Sequence, residues 1–466
     1  GWDFIFDPFA VLTNGSTIRR DFLRFTGLAV TGAALAACAP ATGSLSTGAA
    51  AGEAAAPAQA PVPLEFWTMN YADPEAYLGL LQGMAEQFRE ESNIAVDIQM
   101  INWSNAANTW LLVSQGGAHP DGADMYWLYS FSRLGGGKAG PMPLTDYLEQ
   151  YWPDLEERFY SSGLQDVFWQ DEFYGIPWRG DIRPMLYRVD MLEEAGFSGP
   201  PQNWEDITKM AAATTKRSGN DVSTWGFTFS SAVPVQQFMA YLWQAGGEYM
   251  TKDGLTATVD TPEMRAMLSW ASDLLWNQRV TPTEIMEKGF APMDQFYAGQ
   301  MAIIGQVSDS VGMDLDRDFP EMEGQWAFAI PAQGPANRAS YSGAGYWGAL
   351  RGSEKVDETV KWIAFLSRDE NMTTITQFIG RVSPNKKAME SEYWTDRPWK
   401  KVVVECLQHA HTSQHPSPAW GKLTATDPGS VLYDLYYEAL IQRQDVDSVL
   451  ARAQQRMQEE MDKIEV

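Results

Sequence analysis

The residues best suited to chemistry in this chain are aromatic and acidic. Its 466 residues include 19 Trp, 18 Tyr and 21 Phe. Flat indole faces suit the C–H faces of sugar rings, because the negative quadrupole of the ring attracts weakly positive C–H groups. For any one tryptophan the core is the commoner destination, so the excess carries the signal rather than a single position. Acidic groups number 60 against 34 basic ones, a formal charge of −26. Such a body repels nucleic acid and anionic headgroups, which argues against both as partners.

Other constellations are weaker. His409, His411 and His415 form an H-x-H-x3-H cluster beside Cys406. Imidazoles at that density bind zinc in other settings, but the spacing matches no specific ligand set and Pro416 and Pro418 mark a loop. No metal and no other cofactor is expected. RLGGGKAG at 133–140 has the glycines of a phosphate loop, yet Lys138 is followed by alanine and the framing glycine is misplaced. It reads as a glycine-rich loop over a binding cleft. No nucleophile elbow or HExxH motif occurs. A glycosidase pair needs two carboxylates about 5–10 Å apart in space, and nothing in the sequence selects one. A binding protein is therefore expected rather than an enzyme, with a secreted carbohydrate-active enzyme as the rival.

The elements that must position such residues alternate between strand and helix. Val62, Leu64 and Phe66 have the period of a half-buried strand. Asp73-Pro74 opens a helix that places Tyr77, Leu81, Met84 and Phe88 on one face. Ile94, Val96, Ile98 and Met100 return to alternation, completing a β-α-β unit with parallel strands. Ala123–Tyr129 and Phe173–Pro177 read as further strands, as do Met301–Ile304 and Ala327–Ile330. Residues 204–216, 262–277, 354–367, 430–442 and 447–463 have helical periodicity, with Ser353 and Asp447 or Ser448 as caps. The class is α/β, and the length calls for two domains.

The first sixty residues read as an address. TIRRDFLR at 17–24 pairs Arg19 with Arg20 ahead of Phe22 and Leu23, resembling a twin-arginine export signal. The apolar stretch from Phe25 ends Leu35-Ala36-Ala37-Cys38, which resembles a lipobox with Cys38 as the lipidated residue. Residues 1–37 form the signal, and 38–63, rich in Ala, Gly, Ser, Thr and Pro, form a flexible tether. Cys406 is left alone and reads as a buried thiol. A protein lipid-anchored to the outer face of the cytoplasmic membrane is expected.

YGIPWRGDIRPMLYRVDMLEEAGFSGPPQNWED at 174–206 resembles the signature stretch of family 1 extracellular solute-binding proteins, relatives of maltose-binding proteins. Tyr126-Trp127, Phe296-Tyr297-Ala298-Gly299 and Tyr346-Trp347-Gly348 are similar to family landmarks in the same order. The resemblance implies a periplasmic-binding-protein-like fold of two lobes with hinge strands, 64–177 plus 310–366 and 178–309 plus 367–466. It also implies chain crossings near Trp178–Arg183, Ser308–Val311 and Leu366–Arg368. It implies a monomer that captures a sugar or oligosaccharide between the lobes and delivers it to ABC permease subunits. The contacts it implies are Trp67, Asn70 and Tyr71 after the first strand, and Trp127 and Tyr129 after the third, with Arg133 nearby. Further along are Trp178, Arg179, Asp181 and Arg183, then Gln236, Gln237, Asp309 and Trp347. Asp181 sits where the family places a hydroxyl acceptor, with a hinge ion pair to Arg179 or Arg183 as its other reading. Val307 stands where the family often has a stacking Trp, so the platform must come from elsewhere. A polar or anionic solute, such as a glycerol phosphodiester or an acidic sugar held by Arg179 and Arg183, is the alternative ligand.

The address is directly testable. Cys38→Ser should release the protein from the membrane fraction without unfolding it, and replacing Arg19 and Arg20 by lysine should block export. Fractionation followed by immunoblotting checks both, and membrane retention of the Cys38 variant would overturn the lipid anchor.

Overall fold

The computed structural model describes residues 63–71, 73–126, 140–231, 235–287, 289–412, 417–425 and 428–463. Residues 1–62, where the export signal and most of the tether are expected, and Trp127, Tyr129, Arg133, Lys138 and His415 lie outside the described residues. Alternation in LEFWTM makes β1 (Leu64–Met69), whose Leu64 and Phe66 are buried while Glu65 and Trp67 are half-exposed. Asp73 then caps the helix Pro74–Ser92, its carboxylate accepting from the Ala76 N–H at 3.0 Å. Pro74 occupies the first turn, where a missing N–H costs nothing. Asn93, with φ of 61°, ends the helix and returns the chain to β2 (Val96–Ile101). β2 runs parallel to β1 from Leu64↔Val96 to Met69↔Ile101. β3 (Gly122–Tyr126) joins the other edge of β1, also in parallel.

A short hairpin, β4 (Phe168–Trp169) with β5 (Glu172–Phe173), precedes β6 (Ile176–Ile182). The chain then enters a second sheet. β7 (Met185–Arg188), β8 (Lys216–Ser218), β9 (Asp221–Thr228), β10 (Met301–Ile304) and β11 (Trp326–Ala329) assemble in the order β11-β7-β10-β9-β8. β12 (Ser340–Ala349) carries the chain back, antiparallel to β3 and to β6, while its first residues pair in parallel with β13 (Ala410–Thr412). β12 is missed by sequence periodicity, because SYSGAGYWGA interleaves small residues and aromatics and is buried along its whole length.

Each sheet has its own core. Phe66, Trp110, Trp178, Trp347 and Trp362 cluster around the first sheet. The second sheet is covered on both faces, since adjacent residues part company: Tyr187 and Ile303 join one cluster, Leu186 and Ile304 the other. Cys406 belongs to that second cluster, fully buried, and burial pushes its thiol well up from the ordinary range.

The lobe boundaries differ from those implied by the sequence. Val311, Leu315 and Met322 pack with Leu186 and Ile304, and β11 pairs with β7, so residues 310–339 belong to the second lobe. Met372, Ile375 and Ile379 pack with Trp178 and Trp362, so the helix Asp369–Ile379 belongs to the first. The crossings are thus at Ile182–Met185, at the start of β12 and at Gly380–Val382; Ser308–Val311 and Leu366–Arg368 stay within one lobe. Helical periodicity gives a buried face, not the sheet that the face lands on. Two caps shift as well. Ser353 accepts from the Lys355 N–H at 2.9 Å but precedes the helix Val356–Leu366, and Asp445, not Asp447 or Ser448, caps the last helix, Val446–Met461.

Asp166, in the first lobe, is 2% exposed, and among the described residues neither of its carboxyl oxygens has a hydrogen-bond partner. Burial holds its ionisation well above the usual carboxylate range. A raised value in the folded state means stability is fully present below the unfolded value, about 3.9, and is lost as pH rises toward the folded value. Asp166→Asn should therefore gain on wild type by about 1.4 kcal/mol per pH unit across that window. Urea unfolding of both proteins at a series of pH values checks this, and parallel curves would refute it.

Candidate functional site

The face of β6 that carries Arg179 and Asp181, with Arg183 just past the strand's end, looks toward the junction of the lobes. Its opposite face, with Trp178 and Ile182, enters the cores. Strand alternation alone produces this division. Arg179 is 3% exposed. Its Nε donates to the Tyr71 hydroxyl at 2.6 Å, and its guanidinium lies 5.1 Å from the Tyr71 ring, 5.2 Å from Trp103 and 5.7 Å from Tyr126. The Tyr71 hydroxyl in turn donates to Asp124 Oδ2 at 2.7 Å, and Trp178 Nε1 donates to Asp124 Oδ1 at 2.9 Å. Burial raises the Asp124 carboxyl, with Arg179 and these donors pulling it back only in part. Burial likewise lifts the Tyr71 hydroxyl well above its ordinary value.

Gly345 on β12 is what lets Arg179 lie flat there: a Cβ at that position would fall 2.8 Å from Arg179 Nε. Trp103 is half-buried and firmly held. Its backbone N–H donates to Asn70 Oδ1 at 3.1 Å, its indole N–H to the Asn70 carbonyl at 2.8 Å, and its ring meets Tyr71 edge-on at 5.6 Å.

The second group lies where the lobes join. Arg183 Nη2 donates to Asp181 Oδ2 at 3.1 Å and to Gln236 Oε1 at 2.8 Å, and its guanidinium sits 3.7 Å from the centre of the Tyr341 ring. Tyr341 and Tyr126, one on β12 and one on β3, bring their hydroxyls to 3.3 Å. Arg381 Nη1 donates to Asp309 Oδ1 at 2.6 Å and to the Ser308 hydroxyl, and lies 3.8 Å from Asp181 Oδ1. Burial raises the Asp181 carboxyl, but Arg183 and Arg381 outweigh it and hold the group below the usual range. Asp309 goes the other way: burial and the neighbouring Asp181 raise it more than Arg381 lowers it. Among the described residues, Arg179 Nη2, Arg183 Nη1, Asp181 Oδ1 and Gln306 Oε1 are buried without a hydrogen-bond partner.

Several expected contacts are placed elsewhere. Trp178 and Trp347 stack on each other at 5.0 Å and 3° inside the first core, with 0% and 2% exposure, so neither indole offers a face to a ligand. Trp67 lies on β1 itself and packs against Trp110 of the helix Ala106–Ser114 at 6.1 Å, its indole N–H bound to Glu65. Gln237 donates to the Ile285 carbonyl at 3.0 Å and is 1% exposed. With Gln236 it starts the helix Gln236–Ala245 rather than forming a loop. Arg179 does not join the ion pair of Asp181, which belongs to Arg183. Asn70, Tyr71, Arg179, Asp181, Arg183, Gln236 and Asp309 do come together around the junction. Trp103, Tyr126, Tyr341, Gln306 and Arg381 complete it and were not singled out as site residues from sequence. The uncharged INW-S segment before an aromatic helix was the available signal for Trp103. His411 is engaged by Glu248 at 2.7 Å and stacks on Trp243 at 4.2 Å; burial lowers His409 from its ordinary value.

The chain is similar to several known proteins. A binding protein of Brucella abortus (strain 2308) is 23% identical over 270 residues, 58% of this chain and 63% of the relative. The match thus spans less than two thirds of that relative's length. An arabinooligosaccharide-binding protein of Halalkalibacterium halodurans is 23% identical over 291 residues, 60% of this chain and 62% of its own. Among solved structures, the sugar-binding protein MalE of Xanthomonas citri is similar with a TM-score of 0.72 at 18% identity, over 86% of this chain and 98% of its own. The cyclic alpha-maltosyl-1,6-maltose binding protein of Arthrobacter globiformis gives 0.70 at 16% identity, over 86% and 99%. At these identities the structural likeness establishes the two-lobe fold. The sequence profile described as bacterial extracellular solute-binding protein matches residues 71–373, and the chain belongs to that family.

Proposed function

We propose that this protein is the extracellular binding component of an ABC importer, taking a neutral sugar or oligosaccharide between its lobes and presenting it to membrane permease subunits. The observation that carries the reading is the interlobe lining: the half-buried Trp103 indole beside a charge-balanced set of buried donors and acceptors. Three guanidinium groups, Arg179, Arg183 and Arg381, face three carboxylates, Asp124, Asp181 and Asp309. With no net positive charge there, a glycerol phosphodiester or acidic sugar has little to attract it, whereas hydroxyl groups suit mixed donors and acceptors. Relatives named for arabinooligosaccharide and lactose binding point the same way. The twin-arginine pair and Cys38 extend the reading to an exported, lipid-anchored protein. Among the described residues no helix is long and apolar enough to cross a membrane.

Thermal-shift screening against arabinobiose, lactose, maltose and longer oligosaccharides, followed by calorimetry, tests this. A ligand at 100 times its dissociation constant adds about 2.7 kcal/mol to stability. Saturable one-to-one binding supports the reading; a panel with no shift, or turnover of the sugar, overturns it. For the sugar that binds, Trp103→Ala should cost about 2 kcal/mol of affinity while leaving the melting point near wild type. Trp347→Ala should do the reverse, losing roughly 3–5 kcal/mol of stability because it empties the stack on Trp178.

A further inference from the structure

The first and third crossings are tied to each other and to the second lobe by a row of alternating charges, and the second crossing joins that row through an aromatic ring. Arg183 and Asp181 lie on the first crossing, paired at 3.1 Å. Tyr341, on the second, carries the Arg183 guanidinium on its ring at 3.7 Å. Arg381 lies on the third, immediately after Gly380, whose φ of 65° turns the chain out of the helix Asp369–Ile379. From there Arg381 reaches Asp181 at 3.8 Å on one side and Asp309 of the second lobe at 2.6 Å on the other. Asp309 also accepts from the Val382 N–H at 3.1 Å, so the residue after Arg381 is held by the same carboxylate.

We infer that Arg381 is the latch of the hinge: it sets the angle between the lobes by neutralising Asp181 and Asp309 together. The side chains of both carboxylates are buried, 5% and 0% exposed. Like charges at such a site repel strongly when no cation separates them. Removing the guanidinium leaves Asp309 beside Asp181 with no cation between them, Arg183 still holding Asp181 from its other side, and the joint relaxes by moving the two acids apart. Because all three crossings share the row, that movement is a rotation of one lobe against the other rather than a local adjustment. Arg381 acts here as a positioning residue, and its effect is present in the ligand-free protein, so the inference stands or falls independently of which solute is bound.

The test is the interlobe distance in the full chain without ligand. Nitroxides at Glu90→Cys, on the helix Pro74–Ser92 of the first lobe, and Glu205→Cys, on the helix Trp204–Thr214 of the second, report it in a Cys38→Ser background; Cys406 is fully buried. Arg381→Met should shift the distance distribution measured by pulsed electron–electron resonance. Arg381→Lys, which keeps the charge without the fork, should shift it less. The double variant Arg381→Met with Asp309→Asn, which removes both cation and surplus anion, should return it to wild type. A wild-type distribution in Arg381→Met, or an equal shift in the single and double variants, overturns the inference. Should the single variant fail to fold, the double variant decides: folded with the wild-type distance it supports the latch, and otherwise it refutes it.

Discussion

The pairing of β6 with β12 is the constraint on which the rest of the molecule rests. Their antiparallel register, from Ser342↔Ile182 to Trp347↔Ile176, holds the first crossing against the second. One end of the pair is bolted into the first core by the Trp178–Trp347 stack, and the other opens onto Arg183 and Tyr341. The inward face is apolar and dense, and the outward face carries two buried arginines and an aspartate. Because strand residues alternate in direction, a single two-stranded ribbon supplies both the first lobe's core and the polar lining of the junction. Moving one without the other is not possible.

Burying that much charge calls for partners in every direction. Arg179 is surrounded by aromatic rings and bound to Tyr71, which is bound to Asp124, which is bound to Trp178. Each member restrains the next, so the first-lobe wall is preorganised before any solute arrives, and ordering costs at binding are correspondingly small. The second group, around Asp181, is assembled from residues of both lobes and both flanks of the hinge. It is the natural place for geometry to change. One wall is rigid and the joint is adjustable, an arrangement in which a solute touching both sides favours one setting of the joint.

Much of this was legible in the sequence and some was not, for identifiable reasons. β1, the helix after Asp73, β2 and the helices within 204–216, 262–277, 354–367, 430–442 and 447–463 follow from periodicity, because each has one apolar face, and β10 follows from its short apolar run. The polar cluster on β6 was legible from the signature stretch at 174–206. What escaped depended on long-range pairing. β12 is buried on both faces and so has no alternation to read. Arg381 is separated from Asp309 by 72 positions and from any motif by the helix Asp369–Ile379, which the resemblance put in the second lobe. Trp178 and Trp347 looked like ligand platforms because aromatic composition does not say which side of a sheet a ring will face; the pleat sends both inward. Trp103 is the one left half-buried at the junction, where Asn70 clamps its backbone and its indole.

The absence of a side chain at Gly345 has a bearing on how such a protein changes its diet over evolutionary time. A methyl group there would collide with Arg179 and disturb the whole chain of contacts behind it, so the ribbon is a poor place for new specificities to arise. Variation is better tolerated on the opposite wall, where Gln236 accepts from Arg183 and Gln306 donates to the Gln237 carbonyl, from a helix and from the residue two past a strand end. Descendants of this scaffold that take a different solute would be expected to keep the arginine-bearing ribbon as inherited and to experiment across from it. A library built to retarget the protein would do well to follow the same division.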